Sequence, residues 1–162
     1  MTALTERALA IAASYVGVRE TKRNRGPEVD AFLYDVGLDP TKGSYPWCAA
    51  FVWHCLNKAS LELRIPNPAP RTAGVMKMWA RVQPYQKTLR PSEGAVFIID
   101  HGGGRGHTGF VEMVGPLRIV TIEGNTNSGG SRDGDGVYRR DRTLSEITGY
   151  IDYALKMPEQ VA

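Results

Sequence analysis

The sequence predicts an α+β domain in which N-terminal helices pack on a C-terminal antiparallel β-sheet. Two observations carry this. Apolar residues recur at helical spacing through the first half of the chain, whereas from Gly94 onward short apolar segments are bounded by Gly, Pro, Asp or Asn, as strands are. Helices come first and strands later, with none of the alternation that builds a parallel sheet. With 162 residues, no internal repeat and no interdomain linker, the chain is expected to form one domain, 1–162, able to bury a sizeable core.

The first element is an amphipathic helix. Leu4, Ala8, Ile11, Ala12 and Tyr15 fall on one face, and Gly17 ends the run. The stretch Ala8–Val18 resembles the apolar region of a signal peptide, but Glu6 and Arg7 precede it in place of a basic segment. It is also too short to span a bilayer. The expectation is therefore synthesis in the cytoplasm without a signal peptide, and no stable membrane insertion. Pro27–Val36 reads as a second helix, with proline in its first turn and Gly37 beyond its end. Pro46–Ala59 reads as the third. A proline-rich connector, "RIPNPAPR", leads to a short helix around Thr72–Ala80. The strand candidates are "AVFIID", "HTGFVEMV", "LRIVTIE", "GVYRR" and "ITGYIDYAL". The glycine-rich "HGGGRG" and "GNTNSGGSRDGDG" read as loops.

Composition narrows function only slightly. A net charge of +3 suits an anionic polymer such as bacterial wall or nucleic acid and selects neither. The basic runs "KRNR" and "RRDR" lack interleaved aromatics, so no nucleic-acid partner is expected. Cys48 and Cys55 would stand about 10 Å apart along a helix, beyond the roughly 7 Å reach of a disulfide. Both are expected to be free thiols.

In the third helix Cys48, Phe51, Val52, Cys55, Leu56 and Ala59 share one face, which makes this helix central. Cys48 lies in its first turn, where unpaired N–H groups and the positive end of the dipole stabilise a thiolate. On position alone it is equally a small buried residue; Cys55, two turns deeper, reads as structural. Of three histidines, His54 is about 240° around the helix from Cys48 and faces away. His101 opens a glycine-rich loop and has no set orientation. His107 begins a strand, with Gly106 and Gly109 expected to leave space around its ring, and alone meets the requirement for a base on a rigid element.

A catalytic imidazole needs an acceptor on its second nitrogen. The next strand ends "TIEGNTN". With a two-residue connection at 115–116, His107 would oppose Gly124 and leave Glu123 on the far face. With a three-residue connection, 115–117, His107 would oppose Asn125 with Glu123 as its diagonal neighbour. A catalytic Glu123 therefore requires an odd-length connection or a bulge.

"PWCAAFVWHC", then "GHTGFVE", then "IEGNTN", in that order, resembles the CHAP family of cysteine, histidine-dependent amidohydrolases/peptidases, papain-like peptidoglycan hydrolases. "PEVDAFLYDVG", "PSEGAVFIID" and "GDGVYRRDR…ITGY" extend the likeness over most of the chain. The resemblance implies a papain-like fold and candidate catalytic residues Cys48 (nucleophile), His107 (general base and acid), Glu123 (orienting acceptor) and Asn125, which assists or lines the site. The Cys48 amide would contribute to an oxyanion hole. Thr108 and Trp47 are the candidate substrate-binding residues, although Trp47 serves equally well as an anchor for the helix. The implied reaction is amide hydrolysis through a thioester, either at the N-acetylmuramoyl–L-alanine bond or within the peptide. "HGGGRG" departs from the family pattern and is expected to form a mobile rim, and the loop Gly124–Gly136 to wall the cleft. Some CHAP domains bind calcium near the N-terminus; "KRNRGPEVD" is too basic for that, and "SRDGDG" (Ser131–Gly136) lacks the twelve-residue ligand pattern. No metal and no cofactor are expected.

Other classes fare worse. "HGGG" without a Gly-x-Ser-x-Gly elbow makes no lipase, and no phosphate-binding loop occurs. Zinc on Cys48, Cys55, His101 and His107 would need the cysteines closer together. A non-catalytic wall- or glycan-binding module remains the alternative. The expected partner is bacterial peptidoglycan, met by a monomer. The biological settings are a phage endolysin, or an antibacterial effector with a secretion apparatus and a cognate immunity protein.

Overall fold

The structure, a computed structural model, describes residues 1–127 and 134–157. Four helices, α1 (Ala3–Ser14), α2 (Pro27–Asp35), α3 (Cys48–Leu63) and α4 (Val75–Arg81), precede nearly all of an antiparallel sheet. Its strands are β1 (Lys87–Thr88), β2 (Val96–Gly102), β3 (Arg105–Val114), β4 (Arg118–Thr126), β5 (Gly136–Thr143) and β6 (Gly149–Ile151), in the order β1-β6-β2-β3-β4-β5. The α+β class holds. No described helix is long and apolar enough to cross a membrane.

Local chemistry sets the helix ends. Thr2 caps α1, with Thr5 completing a reciprocal capping box. Pro27 occupies the first turn of α2, where its missing N–H costs nothing. α3 starts two residues later than its periodicity suggested, at Cys48, and runs four further before Arg64 closes it in a left-handed conformation. Leu4, Ala8, Ile11 and Ala12 of α1, Val29, Phe32 and Leu33 of α2, and the apolar face of α3 form one core with Phe110 and Ile122 of the sheet. Ala95, Phe97, Ile99, Val111, Ile119 and Tyr150 form a second cluster.

Two features of the sheet place the site. Val114 pairs with Ile119, so the β3–β4 connection is neither of the two lengths considered from sequence. The odd residue comes instead from a bulge at Glu112, beyond which Val111 faces Thr121 and Phe110 faces Ile122. Continued along β3, this register sets His107 against Asn125 and makes Glu123 its diagonal neighbour. The second feature corrects the reading of "HGGGRG" as a loop. "HGGGRG" is a tight extension of the β2–β3 hairpin, with Asp100 paired to Gly106 and Gly102 to Arg105. Gly102, Gly103 and Gly104 have φ of +78°, +63° and +75°, a succession that only glycine adopts without strain. His101 accordingly sits in a strand.

The segment after α1 joins the opposite edge: Val137 N–H donates to the Val18 carbonyl, and Gly17 N–H to the Val137 carbonyl. This carries Glu20 to the start of α3.

Candidate active site

Cys48 is the first residue of α3 and is 3% exposed. The N-cap, Trp47, has no side-chain acceptor for the first-turn amides. The helix start therefore keeps its N–H groups and positive dipole end for whatever lies in front of it. The strand that faces this turn is β4. A Cβ on Gly124 would lie 2.7 Å from Trp47 Cζ3 and 2.8 Å from Phe51 Cγ, so glycine there lets the helix start seat on the strand. Glu20 completes the seat by accepting a 2.7 Å hydrogen bond from Trp47 Nε1.

Across from Cys48 lies His107 on β3. Its Nε2 is 2.7 Å from a carboxylate oxygen of the fully buried Glu123. The Arg142 guanidinium holds that carboxylate with two hydrogen bonds of 2.6 and 2.8 Å, and the Thr121 hydroxyl donates to it at 2.6 Å. Glu146, 3.5 Å from Arg142, ends the chain of charges. Burial is the largest influence on the Glu123 carboxyl and acts to raise its pKa. The hydrogen bonds and charges of Arg142 and His107 overcome it and hold the group well below the usual carboxylate range. For His107, burial again acts most strongly and disfavours the charged ring. The side chain of Cys48 and the Glu123 carboxylate together outweigh it, lifting the imidazole from 6.5 to about 9. With Nε2 occupied by Glu123, Nδ1 is the nitrogen left to exchange a proton with sulfur.

Cys48, His107, Asn125 and Arg142 border a cavity of about 710 Å³. Asn125 lines it from a left-handed backbone position, φ +55°, at the register break between Glu123 and Thr126. Of the two acceptors considered, Glu123 is the one bonded to His107 in the described contacts.

Several expectations need correction. Trp47 is fully buried and bonded to Glu20, stacked near Phe32 at 5.8 Å between ring centroids, so it anchors the helix and does not line the cleft. Thr108 is also fully buried; strand alternation turns it away from the His107 face, and its hydroxyl donates to the Phe97 carbonyl at 2.7 Å. Gly106 and Gly109 leave no open space, since a Cβ there would stand 2.7 Å from the Ile99 carbonyl oxygen and 2.6 Å from that of Ile122. They permit close strand packing beneath the imidazole. Of the segment Gly124–Gly136, Asn125, Thr126 and Gly134 line the cavity, while residues 128–133, including the start of "SRDGDG", lie outside the described residues.

Other polar residues are accounted for structurally. His54 bonds Asp35 at 2.5 Å and Tyr15 at 2.8 Å, away from Cys48. Burial pushes the Cys55 thiol well up, which keeps that thiol protonated and inert. Both cysteines are free thiols. Among the described residues no group of three His, Cys, Asp or Glu is placed to hold a metal. The N-terminal calcium site of some CHAP domains does not fit here, because the Asp30 carboxylate is taken by Arg25 at 2.8 and 2.9 Å.

Arg142 and Thr121 went unrecognised in the sequence. Thr121 sits two residues before Glu123, on its face, a signal that strand periodicity does provide. Arg142 enters from β5, whose register no local pattern discloses.

This is an α+β fold with a cysteine at a helix start opposite a histidine–carboxylate pair, the arrangement of papain-like cysteine hydrolases. The family model of the CHAP domain matches residues 40–125, more than half of the chain, and the chain belongs to the CHAP family. Among solved structures, a crystal structure of Ly7917 aligns with a TM-score of 0.52 at 16% identity, over 94% of this chain and 62% of that one. A crystal structure of Ly7917 with the hydrolyzing product of MDP aligns with a TM-score of 0.52 at 15% identity, over 91% of this chain. This chain thus spans 62% of the length of that neighbour, and the likeness is one of fold. Among curated proteins none matches.

Proposed function

We propose that this protein is a peptidoglycan hydrolase that cuts an amide bond, either N-acetylmuramoyl–L-alanine or one within the peptide, through a cysteine thioester. The observation that carries the reading is the coupling of Cys48 at the uncapped start of α3 to an imidazole whose Nε2 is held by Glu123. Membership of the CHAP family and the fold shared with Ly7917, a protein crystallised with the hydrolyzing product of MDP, support the wall as substrate.

The chemistry follows from the geometry. His107 accepts the Cys48 proton, and the resulting thiolate–imidazolium pair lies beside the positive end of the helix dipole. Sulfur attacks the carbonyl carbon, and the developing oxyanion meets the Cys48 N–H. The imidazolium gives its proton to the amide nitrogen; the C–N bond breaks and the amine leaves. Water then loses a proton to His107 and attacks the thioester carbonyl, releasing the acid and restoring the thiol. Glu123, locked by Arg142, keeps the ring aimed throughout.

Mass analysis of purified peptidoglycan after digestion, with Cys48→Ala as control, tests the reading and identifies the bond. New amine and carboxyl ends are expected with the wild type and none with the variant. Wall binding that survives Cys48→Ala, with no cleavage by the wild type, would establish a non-catalytic binding module instead. An endolysin and an injected effector share this chemistry. Protection of cells by a co-expressed, separately encoded binding protein would mark the effector, which needs a cognate immunity protein.

A further inference from the structure

The described lining of the cleft is rich in arginine. Four arginines, Arg23, Arg105, Arg140 and Arg142, line the cavity, and none of its described lining residues is Asp or Glu. Glu123 balances Arg142. Arg140 instead donates to neutral acceptors, the Asn127 carbonyl and, at 3.5 Å, the Thr126 hydroxyl. Arg105 is exposed, and no carboxylate among the described residues forms an ion pair with it or with Arg140. The nearest acid across the hairpin, Asp100, turns its Oδ1 to the Gly102 N–H at 2.8 Å.

Position makes this charge relevant to the reaction. Arg105 precedes His107 by two residues on β3, hence on the same face and about 7 Å along the strand. Ala73, Val75 and Ile99 supply an apolar side to the same cavity. A low-dielectric wall facing the Arg105 and Arg140 guanidinium groups concentrates positive potential where a substrate must lie.

We propose that Arg105, assisted by Arg140, reads a free carboxylate on the substrate peptide near the scissile amide, so that the enzyme prefers anionic over amidated wall peptides. This rests on the hydrolase reading above. A guanidinium donates two parallel hydrogen bonds to a carboxylate. A carboxamide offers one acceptor and turns its own N–H donors toward the arginine, leaving donors opposed and charge unmatched. Bacterial wall peptides present this choice at the glutamyl α-carboxyl, which occurs free or amidated.

The test uses two muramoyl pentapeptides that differ only in that carboxylate or carboxamide. Calorimetry with the Cys48→Ala protein is expected to give about tenfold tighter binding of the carboxylate form. Arg105→Gln in that background is expected to reduce the preference to about twofold, with Arg105→Lys retaining part of it, as a charge-reading role requires. In the otherwise wild-type enzyme the same preference should appear chiefly in KM. Equal binding of the two peptides, no binding of either, or a preference unchanged by both Arg105→Gln and Arg140→Gln overturns the proposal. Selective binding without cleavage by the wild type sinks the hydrolase reading and leaves the anion site standing. Equal binding and cleavage of both peptides does the reverse.

Discussion

Glu123, wholly shielded from solvent, holds Nε2 of His107 at 2.7 Å. A buried carboxylate needs compensation for its lost hydration, and here it comes from the imidazole on one side and the Arg142 guanidinium on the other. Electrostatics and orientation thus depend on the same group.

Replacing Glu123 by Gln keeps the shape and removes the charge. Arg142, 14% exposed, then loses its main counterion and retains only Glu146 at 3.5 Å. The expected cost is about 3 kcal/mol in urea unfolding. kcat on peptidoglycan is expected to fall about 100-fold, because the ring loses both its aim and its support as an imidazolium. Unchanged stability and turnover would remove Glu123 from the site.

The pH profile follows from the direction of each shift. His107 ionises at about 9 in the folded protein against an ordinary 6.5. Its protonation therefore contributes stability that is complete below about 6.5 and is lost as pH rises through about 9. Glu123 is shifted the other way; its contribution is present above the ordinary carboxylate range and is lost as pH falls through its depressed value. kcat/KM is expected to have its alkaline limb near pH 9, and Glu123→Gln to move that limb toward neutrality. A wild-type limb near 6.5 would contradict the imidazolium pairing.

Gly124→Ala tests the seat of the helix. The added methyl would meet Trp47 at 2.7 Å and Phe51 at 2.8 Å, both in the packed core. A loss of about 2 kcal/mol is expected from overpacking. Because the first turn of α3 must shift, kcat is expected to fall more than KM rises. Thermal melting with steady-state kinetics checks both.

Much of this site was legible because it is local. Cys48 reads as a first-turn residue from the periodicity that follows it, and His107 as a strand residue from the alternation in "HTGFVEMV". Glu123 could be limited to two registers by counting. The bulge at Glu112 that selects one of them has no local signature, since a bulge is stabilised by the strands on either side. Trp47 illustrates the other limit. An aromatic beside a nucleophile looks like a cleft residue until the segment after α1 brings Glu20 to its indole nitrogen.

By itself the sequence determined the α+β class and the order of the helices and strands, and it put forward Cys48, His107 and Glu123 as candidates with the help of a family resemblance. These follow from patterns a few residues long, where side-chain spacing and backbone preference act directly. Only the tertiary structure decided which glycines carry close contacts, that Arg142 locks the carboxylate, and that Arg105 and Arg140 border the cleft with no carboxylate partner among the described residues. Those properties arise between residues far apart in the chain, and their energies exist only once packing has excluded water from the space they share.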